Sequence, residues 1–273
     1  MSTCIVGKFE SFHRGHQYLI RKAKEYGEDV KLISIWLPIK TKNYQPLFTK
    51  EEREELAREF GAKLVTINFE SVKNLNPDEF FSLLKRLGCT SVIAGEDWKF
   101  GKERAGNIEI AKRIGETLGI KVIPIKPVKI GDKKIGTSTI RELLKKGKIE
   151  EANSLLGFSY FCTGTAEKGR GIGRKIGFPT INIKCTKPLL IRDGVYKVKI
   201  KTSSFEEIAI ANYGVRPTFK SGNRKVLEIH VPEKEIECVL CGTIRVEFLK
   251  FIRPERKFSS IEELKKQINL DIQ

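Results

Sequence analysis

Apolar and polar positions follow two different periods along this chain, and the change between them divides it. In the first half, short apolar runs alternate with segments of helical spacing. Cys4–Val6, Val30–Leu37, Leu64–Phe69, Ser91–Ala94 and Val122–Ile125 read as strands. Between them, Gly15–Tyr26 places Leu19, Ala23 and Tyr26 at helical spacing. Thr49 with Glu52 forms a capping box that opens a charged helix through Phe60. Asn76-Pro77 with Glu79 starts another helix, and Gly88 stands just past its end. Asn107–Leu118 and Thr137–Lys146 are the remaining helical segments, the last closed by Gly147. This alternation predicts a doubly wound α/β domain, a parallel sheet with helices on both faces.

After about Gly157 the period shortens. Tyr160–Thr165, Val195–Ile200, Ile208–Ala211, Val226–Val231 and Ile244–Phe251 read as strands between turns rich in Gly, Pro and Ser. Helical spacing returns only at Ile261–Ile268, behind a capping box of Ser259 with Glu262. Many strands and one terminal helix predict a small antiparallel β-barrel. The fold class is therefore α/β plus all-β, with domains 1–157 and 158–273. Pro38–Phe48 shows no regular pattern and fits a functional loop and a plain surface loop equally.

Composition changes this picture little. The 273 residues suffice for two cores. A formal charge of +17 favours polyanionic partners: nucleic acid, anionic membrane or phosphorylated small molecules. The basic residues fall largely on predicted helices mixed with Glu, without interleaved stacking aromatics, which argues against nucleic acid. No apolar run approaches membrane-spanning length, and the N-terminus lacks a secretory pattern. The expected location is the cytoplasm, with the six scattered cysteines as reduced thiols. Cys238 and Cys241 form a single C-x-x-C, for which a zinc site would need two more ligands at suitable spacing.

Candidate chemistry is concentrated in a few segments. Gly169, Gly171 and Gly173 with Arg170, Arg174 and Lys175 form a loop whose backbone amides can cradle phosphate. Thr180 and Asn182 follow, two residues apart and leading into a strand, as oxygen donors suited to a magnesium ion. Two of the chain's 3 histidines, His13 and His16, join the first strand to the first helix as His-x-Gly-His. There the helix N-terminus directs N–H groups and a positive dipole end at a ligand, and Gly15 is expected to permit the tight turn. Thr137, Ser138 and Arg141 offer hydroxyls and a guanidinium at a second helix start. From alternation alone, Glu228 is an outward-facing strand residue, and Arg253-Pro-Glu255 a solvated turn.

Two families resemble these segments. Thr163-Gly164-Thr, Gly169 through Asn182, Gly194-Val-Tyr196, Ala211 through Thr218, Leu227-Glu228-Ile-His230 and Arg253 through Phe258 are similar, in order, to riboflavin kinase. His13-Arg-Gly-His16 resembles the HIGH-type nucleotidylyltransferase signature. Ile135 through Arg141 resembles Ile-Ser-Ser-Thr-x-x-Arg. Gly95 through Gly106 resembles Gly-x-Asp-Phe-x-Phe-Gly-x-x-Arg-x-Gly, with Trp98 in place of Phe. Together they span nearly the whole chain and resemble the bifunctional riboflavin kinase/FAD synthetase family. The resemblance implies phosphorylation of riboflavin to FMN, then adenylylation of FMN to FAD.

In the adenylyltransferase half it implies ATP contacts at Gly7, Phe9, His13, Gly15, His16, Thr137, Ser138 and Arg141. His13, His16 and Arg141 are the catalytic candidates, and Asp97, Phe100 and Arg104 the flavin contacts. In the kinase half it implies ATP at Gly164, Gly169, Gly171, Gly173, Arg174, Thr180 and Asn182, and Mg²⁺ on Thr180 and Asn182. Glu228 would be the general base, and Glu228, Arg253 and Glu255 would contact flavin. The expected partners are ATP, riboflavin and FMN, with no nucleic acid and no membrane, and the chain acting as a monomer or weak homo-oligomer. Alternatives are a single-activity relative with one half as flavin sensor, or a basic nucleic-acid binder. The chain departs from the pattern at Lys8, Glu10, Ser11 and Gly136, and in the longer hairpin Pro232–Gly242.

Overall fold

The parallel sheet expected for the first half is present. A computed structural model describes residues 2–36, 45–126, 129–130, 133–167, 177–203, 205–216, 224–232 and 242–272. They form two compact units, Met1–Thr137 and Ser138–Gln273. In the first unit, β1 (Ser2–Gly7), α1 (Arg14–Lys24), β2 (Val30–Trp36), α2 (Lys50–Glu59) and β3 (Lys63–Asn68) alternate. A short α3 (Phe69–Val72), α4 (Pro77–Arg86), β4 (Cys89–Gly95), α5 (Ile108–Leu118) and β5 (Lys121–Ile125) follow. All pairings among β1–β5 are parallel, in the order β3-β2-β1-β4-β5. The winding reverses between β1 and β4, so the crevice beyond their carboxyl ends is where such a sheet binds ligands. Two-residue strands β6 (Lys129–Ile130) and β7 (Lys133–Lys134) pair antiparallel with each other.

Local signals explain the helix ends. Thr49 and Glu52 bond reciprocally at the start of α2, as do Asn76 and Glu79 at α4, where Pro77 occupies the first turn. Gly88 takes φ 80°, a left-handed value that other residues adopt at a cost. The core packs Ile33, Phe80, Phe81, Leu84, Val92, Phe100 and Ile114 together.

The second unit carries α6 (Thr137–Lys145, whose first residue closes the first unit), α7 (Ile149–Leu156) and strands β8–β13. These are β8 (Phe161–Glu167), β9 (Ile181–Cys185), β10 (Gly194–Lys201), β11 (Glu206–Arg216), β12 (Arg224–His230) and β13 (Ile244–Arg253). They close into a barrel in the order β10-β11-β12-β9-β8-β13, every pair antiparallel. The terminal helix α8 spans Ile261–Ile272. α7, not expected from the sequence, is tied to the barrel through Asn153, which donates to Phe248 O and accepts from Tyr160 N, both at 2.8 Å.

Two expectations are corrected. The cap of α8 sits one residue later: Ser260 Oγ accepts from Glu263 N at 3.1 Å, and the Glu263 carboxylate accepts from Ser259 N. The cysteines are not all thiols: Cys4 and Cys89 form a disulfide with Cα atoms 5.7 Å apart. Its cause is topological, since β1 and β4 are neighbours and both side chains are fully buried between them. Cys162 and Cys185 remain thiols, Sγ to Sγ 3.3 Å. Cys238 and Cys241 lie outside the described residues.

Candidate functional sites

The loop from Gly7 to His13 leaves the carboxyl end of β1 at the switch point. Its tight turn is not made by Gly15, which is helical within α1. Phe9 and Phe12 make it instead, at φ 45° and 48°. Bulky residues hold such torsions only where their surroundings over-determine them. Here both rings are buried, at 1% and 0% exposure, and they pack 6.0 Å apart.

His13 caps α1, its Nδ1 accepting from His16 N at 3.4 Å. That bond assigns the ring proton of neutral His13 to Nε2. The His13 and His16 rings stack 3.9 Å apart at 12°. Burial, and secondarily the neighbouring His13, hold His16 well below its ordinary pKa of 6.5, so it is neutral at pH 7. Its enclosed Nδ1 has no hydrogen-bond partner among the described residues. Ser11 and Thr137 hydroxyls share a hydrogen bond at 2.8 Å, which ties the last residue of the first unit to this loop. Arg141 lies one turn further along α6, and Ser138 is exposed.

The second motif leaves the carboxyl end of β4. Phe100 and Gly106 exchange backbone hydrogen bonds at 3.2 and 2.8 Å, so the loop closes on itself. Asp97 and Arg104 are exposed on it. Phe100 is a core residue, 6% exposed, stacked on the less buried Trp98 at 4.3 Å.

In the barrel, strand register builds the other site. Glu167 is opposite Asn182, Asn182 opposite Glu228, and Glu228 opposite Asn212. Directly opposed residues of antiparallel strands share a face, so these four form one polar row. Asn182 is buried, Glu228 and Asn212 half-buried, and Thr180 exposed just before β9. Asn212 Nδ2 donates to Glu255 at 3.0 Å, while its enclosed Oδ1 lacks a partner among the described residues. Glu255 helps line a cavity of about 500 Å³ with Lys145, Ile191, Arg192, Asp193, Lys225 and Pro254. The donors of Thr180, Asn182 and Glu228 are oxygens only, a set that suits a hard cation such as Mg²⁺. Gly169, Gly171, Gly173 and Arg174 lie outside the described residues.

Comparison with known proteins gives these two sites a context. A riboflavin kinase family model matches residues 156–273, and an FAD synthetase model residues 2–139. The chain is 33% identical to a bifunctional riboflavin kinase/FMN adenylyltransferase of Buchnera aphidicola, covering 99% of this chain and 91% of that one. It belongs to the bifunctional riboflavin kinase/FMN adenylyltransferase family. The Escherichia coli K12 member is 30% identical, covering 97% of this chain and 89% of its own. The crystal structure of a macrolide-efflux protein from Streptococcus pneumoniae aligns at 27% identity with a TM-score of 0.87, covering 99% and 92%. Among the described residues of this chain no helix is long and apolar enough to cross a membrane.

Set against that family's motifs, the structure places His13, His16 and Thr137 together, and Asn182, Glu228 and Glu255 within one polar network. Two further family residues have structural partners of their own. Gly164 is buried where β8 meets β9: a Cβ there would lie 2.5 Å from Lys184 O. The Arg253 guanidinium is held by Asp271 of α8, with Nη2 to Oδ2 at 2.7 Å. Sequence reasoning missed Asn212, Asp271 and Ser11. Asn212 carries a signal, a polar residue inside the apolar run of β11. Asp271 carries none, since its partner is fixed only by how α8 packs.

Proposed function

We propose a residue-level division of labour for a chain that phosphorylates riboflavin to FMN and then adenylylates FMN to FAD. Residues 158–273 carry the kinase step. Glu228 accepts the proton of the ribityl hydroxyl as its oxygen attacks the γ-phosphorus of ATP and ADP leaves. Asn182 and Asn212 flank Glu228 on the neighbouring strands, and the flavin enters beside Glu255 in the cavity it lines. Thr180 and Asn182 would hold Mg²⁺, which neutralises phosphate charge when bound.

Residues 1–157 carry the second step. An FMN phosphate oxygen attacks the α-phosphorus of ATP, and pyrophosphate leaves. His13 Nε2–H and the amides at the start of α1 donate to the polyphosphate as its charge grows. Neutral His16 donates a hydrogen bond rather than a charge. Asp97, Trp98 and Arg104 meet the flavin nucleotide at the β4 end. Each site comes from one chain, so the reading needs no second copy and no nucleic acid. The work belongs in the cytoplasm, where the fully enclosed Cys4–Cys89 bond is shielded from reductants.

The observation that carries the reading is a pair of polar sites, one beyond the carboxyl ends of β1 and β4 and one in the row across β8, β9, β12 and β11. Incubation with riboflavin, ATP and Mg²⁺, followed by chromatography, tests it. The parent chain yields FAD. Glu228→Gln forms FMN about 10²- to 10⁴-fold more slowly but still converts added FMN. His16→Ala accumulates FMN. Undiminished FMN formation by Glu228→Gln overturns the base assignment, and a normal FAD yield from His16→Ala overturns the other.

A further inference from the structure

Arg53 is the largest of the fully buried side chains, 1% exposed on α2. A guanidinium so enclosed is costly unless its environment uses it. Its Cζ lies 3.9 Å from the centre of the Trp36 ring. Its Nη1 donates to Ser34 Oγ at 3.2 Å, and Ser34 Oγ donates in turn to Lys8 O at 2.9 Å. Ser34 is itself fully buried and pairs with Gly7, the last residue of β1. The hydroxyl therefore meets the chain where it leaves the sheet for the nucleotide loop.

The position of that contact matters. The Lys8 carbonyl belongs to the peptide plane whose rotation about N–Cα is the φ of Phe9, held at 45°. Left to itself, a phenylalanine leaves this torsion for the broad negative-φ regions. A hydrogen bond on the Lys8 oxygen resists that rotation, and Arg53 keeps the Ser34 hydroxyl pointed at it by occupying its acceptor side.

Resting on the adenylyl-transfer reading above, we propose that Arg53 is a positioning residue for that reaction. Through Ser34 it locks the Lys8–Phe9 peptide plane and so holds the strained loop that presents His13 and His16 to the ATP polyphosphate. It touches no substrate. Its effect is on geometry, and displacement of reacting groups by about 1 Å can cost about 100-fold in rate.

Ser34→Ala removes one buried hydroxyl and leaves Arg53 in place, so it carries the test even where Arg53→Met folds poorly. FMN adenylylation and riboflavin phosphorylation are measured on the same full-length preparations. Ser34→Ala and Arg53→Met are each expected to lower kcat for adenylylation by roughly 10- to 100-fold, with KM for FMN within about 3-fold of the parent. The double variant is expected to be no slower than the slower single, because both break one chain of contacts. Arg53→Lys, which keeps a donor for Ser34, recovers part of the loss. Riboflavin phosphorylation stays at the parent rate. A folded Ser34→Ala with parent kcat overturns the proposal, as do losses that multiply in the double variant. Absence of FAD formation from FMN by the parent chain would instead overturn the adenylyl-transfer reading.

Discussion

The Arg253–Asp271 pair decides whether a family residue contacts flavin directly or shapes the site from behind. Arg253 Nε reaches Asp271 Oδ1 and Oδ2 at 3.0 and 3.2 Å, and Nη2 reaches Oδ2 at 2.7 Å. The side chains are 18% and 3% exposed, so the carboxylate is enclosed and the guanidinium partly so. Nη1 donates to Pro254 O at 3.2 Å, inside the turn that carries Glu255. Asp271→Asn removes the charge and turns an acceptor facing Nη2 into a donor. Breaking a buried pair costs about 3–5 kcal/mol, and the partial exposure of Arg253 lowers the expectation to about 2–3 kcal/mol. For a unit of this size that is a fall of roughly 5–10 °C in Tm of the kinase half. If Arg253 acts by bracing the 253–255 turn, Asp271→Asn raises KM for riboflavin as Arg253→Met does, with a smaller change in kcat. Calorimetry and steady-state phosphorylation assays read both quantities. The reasoning is refuted if Asp271→Asn melts within about 1 °C of the parent. It is equally refuted if Arg253→Met raises KM more than about tenfold while Asp271→Asn leaves it untouched.

Two further outcomes follow from the geometry. His16 titrates below 6.5 in the folded state, so on acidification the unfolded chain takes up the proton first and stability falls as pH drops through 6.5. Urea unfolding of the first unit should lose at most about 1 kcal/mol per pH unit below that point from this group, since the residue keeps some exposed surface. His16→Gln should remove this part of the slope, and an unchanged slope would show that the ring is not held neutral. Gly164→Ala forces a Cβ against Lys184 O and, at 2.8 Å, Ile183 Cγ2. It should lower stability by about 1–3 kcal/mol and riboflavin phosphorylation with it, while FMN adenylylation continues. Parent-like melting of the variant would mean that the β8–β9 spacing is not as tight as described.

The parts of this molecule legible in the sequence are those set by local chemistry. Capping boxes at Thr49 and Asn76 and the alternation of β10 needed no partner to be recognised. α7 was missed because Lys148 gives it no side-chain cap and it lies where the pattern changes character. The α8 cap was misplaced by one residue because Ser259-Ser260 and Glu262-Glu263 offer two frames, and only packing chooses between them. Cys4 and Cys89 are 85 residues apart, and nothing local says that β1 and β4 are neighbours. The motifs of the candidate sites were legible as residue types. The supports behind them, Ser34 and Asp271, were not, because each acts through a contact that only the tertiary fold creates.

That distinction extends to how the two sites can fail. The first is a loop at the end of one strand, and its geometry depends on side chains beneath it that hold Phe9 and Phe12 against their preferred torsions. The second is a row across β8, β9, β12 and β11, and its geometry is the register itself. A one-residue slip of β9 would turn Asn182 away from Glu228 and present Ile181 or Ile183 instead. Gly164, whose missing Cβ lets β8 and β9 approach, therefore supports the site by fixing strand spacing. Glycine in a nucleotide-site motif thus serves packing at Gly164. At the histidine loop, strained aromatic residues do the turning for which a glycine was expected.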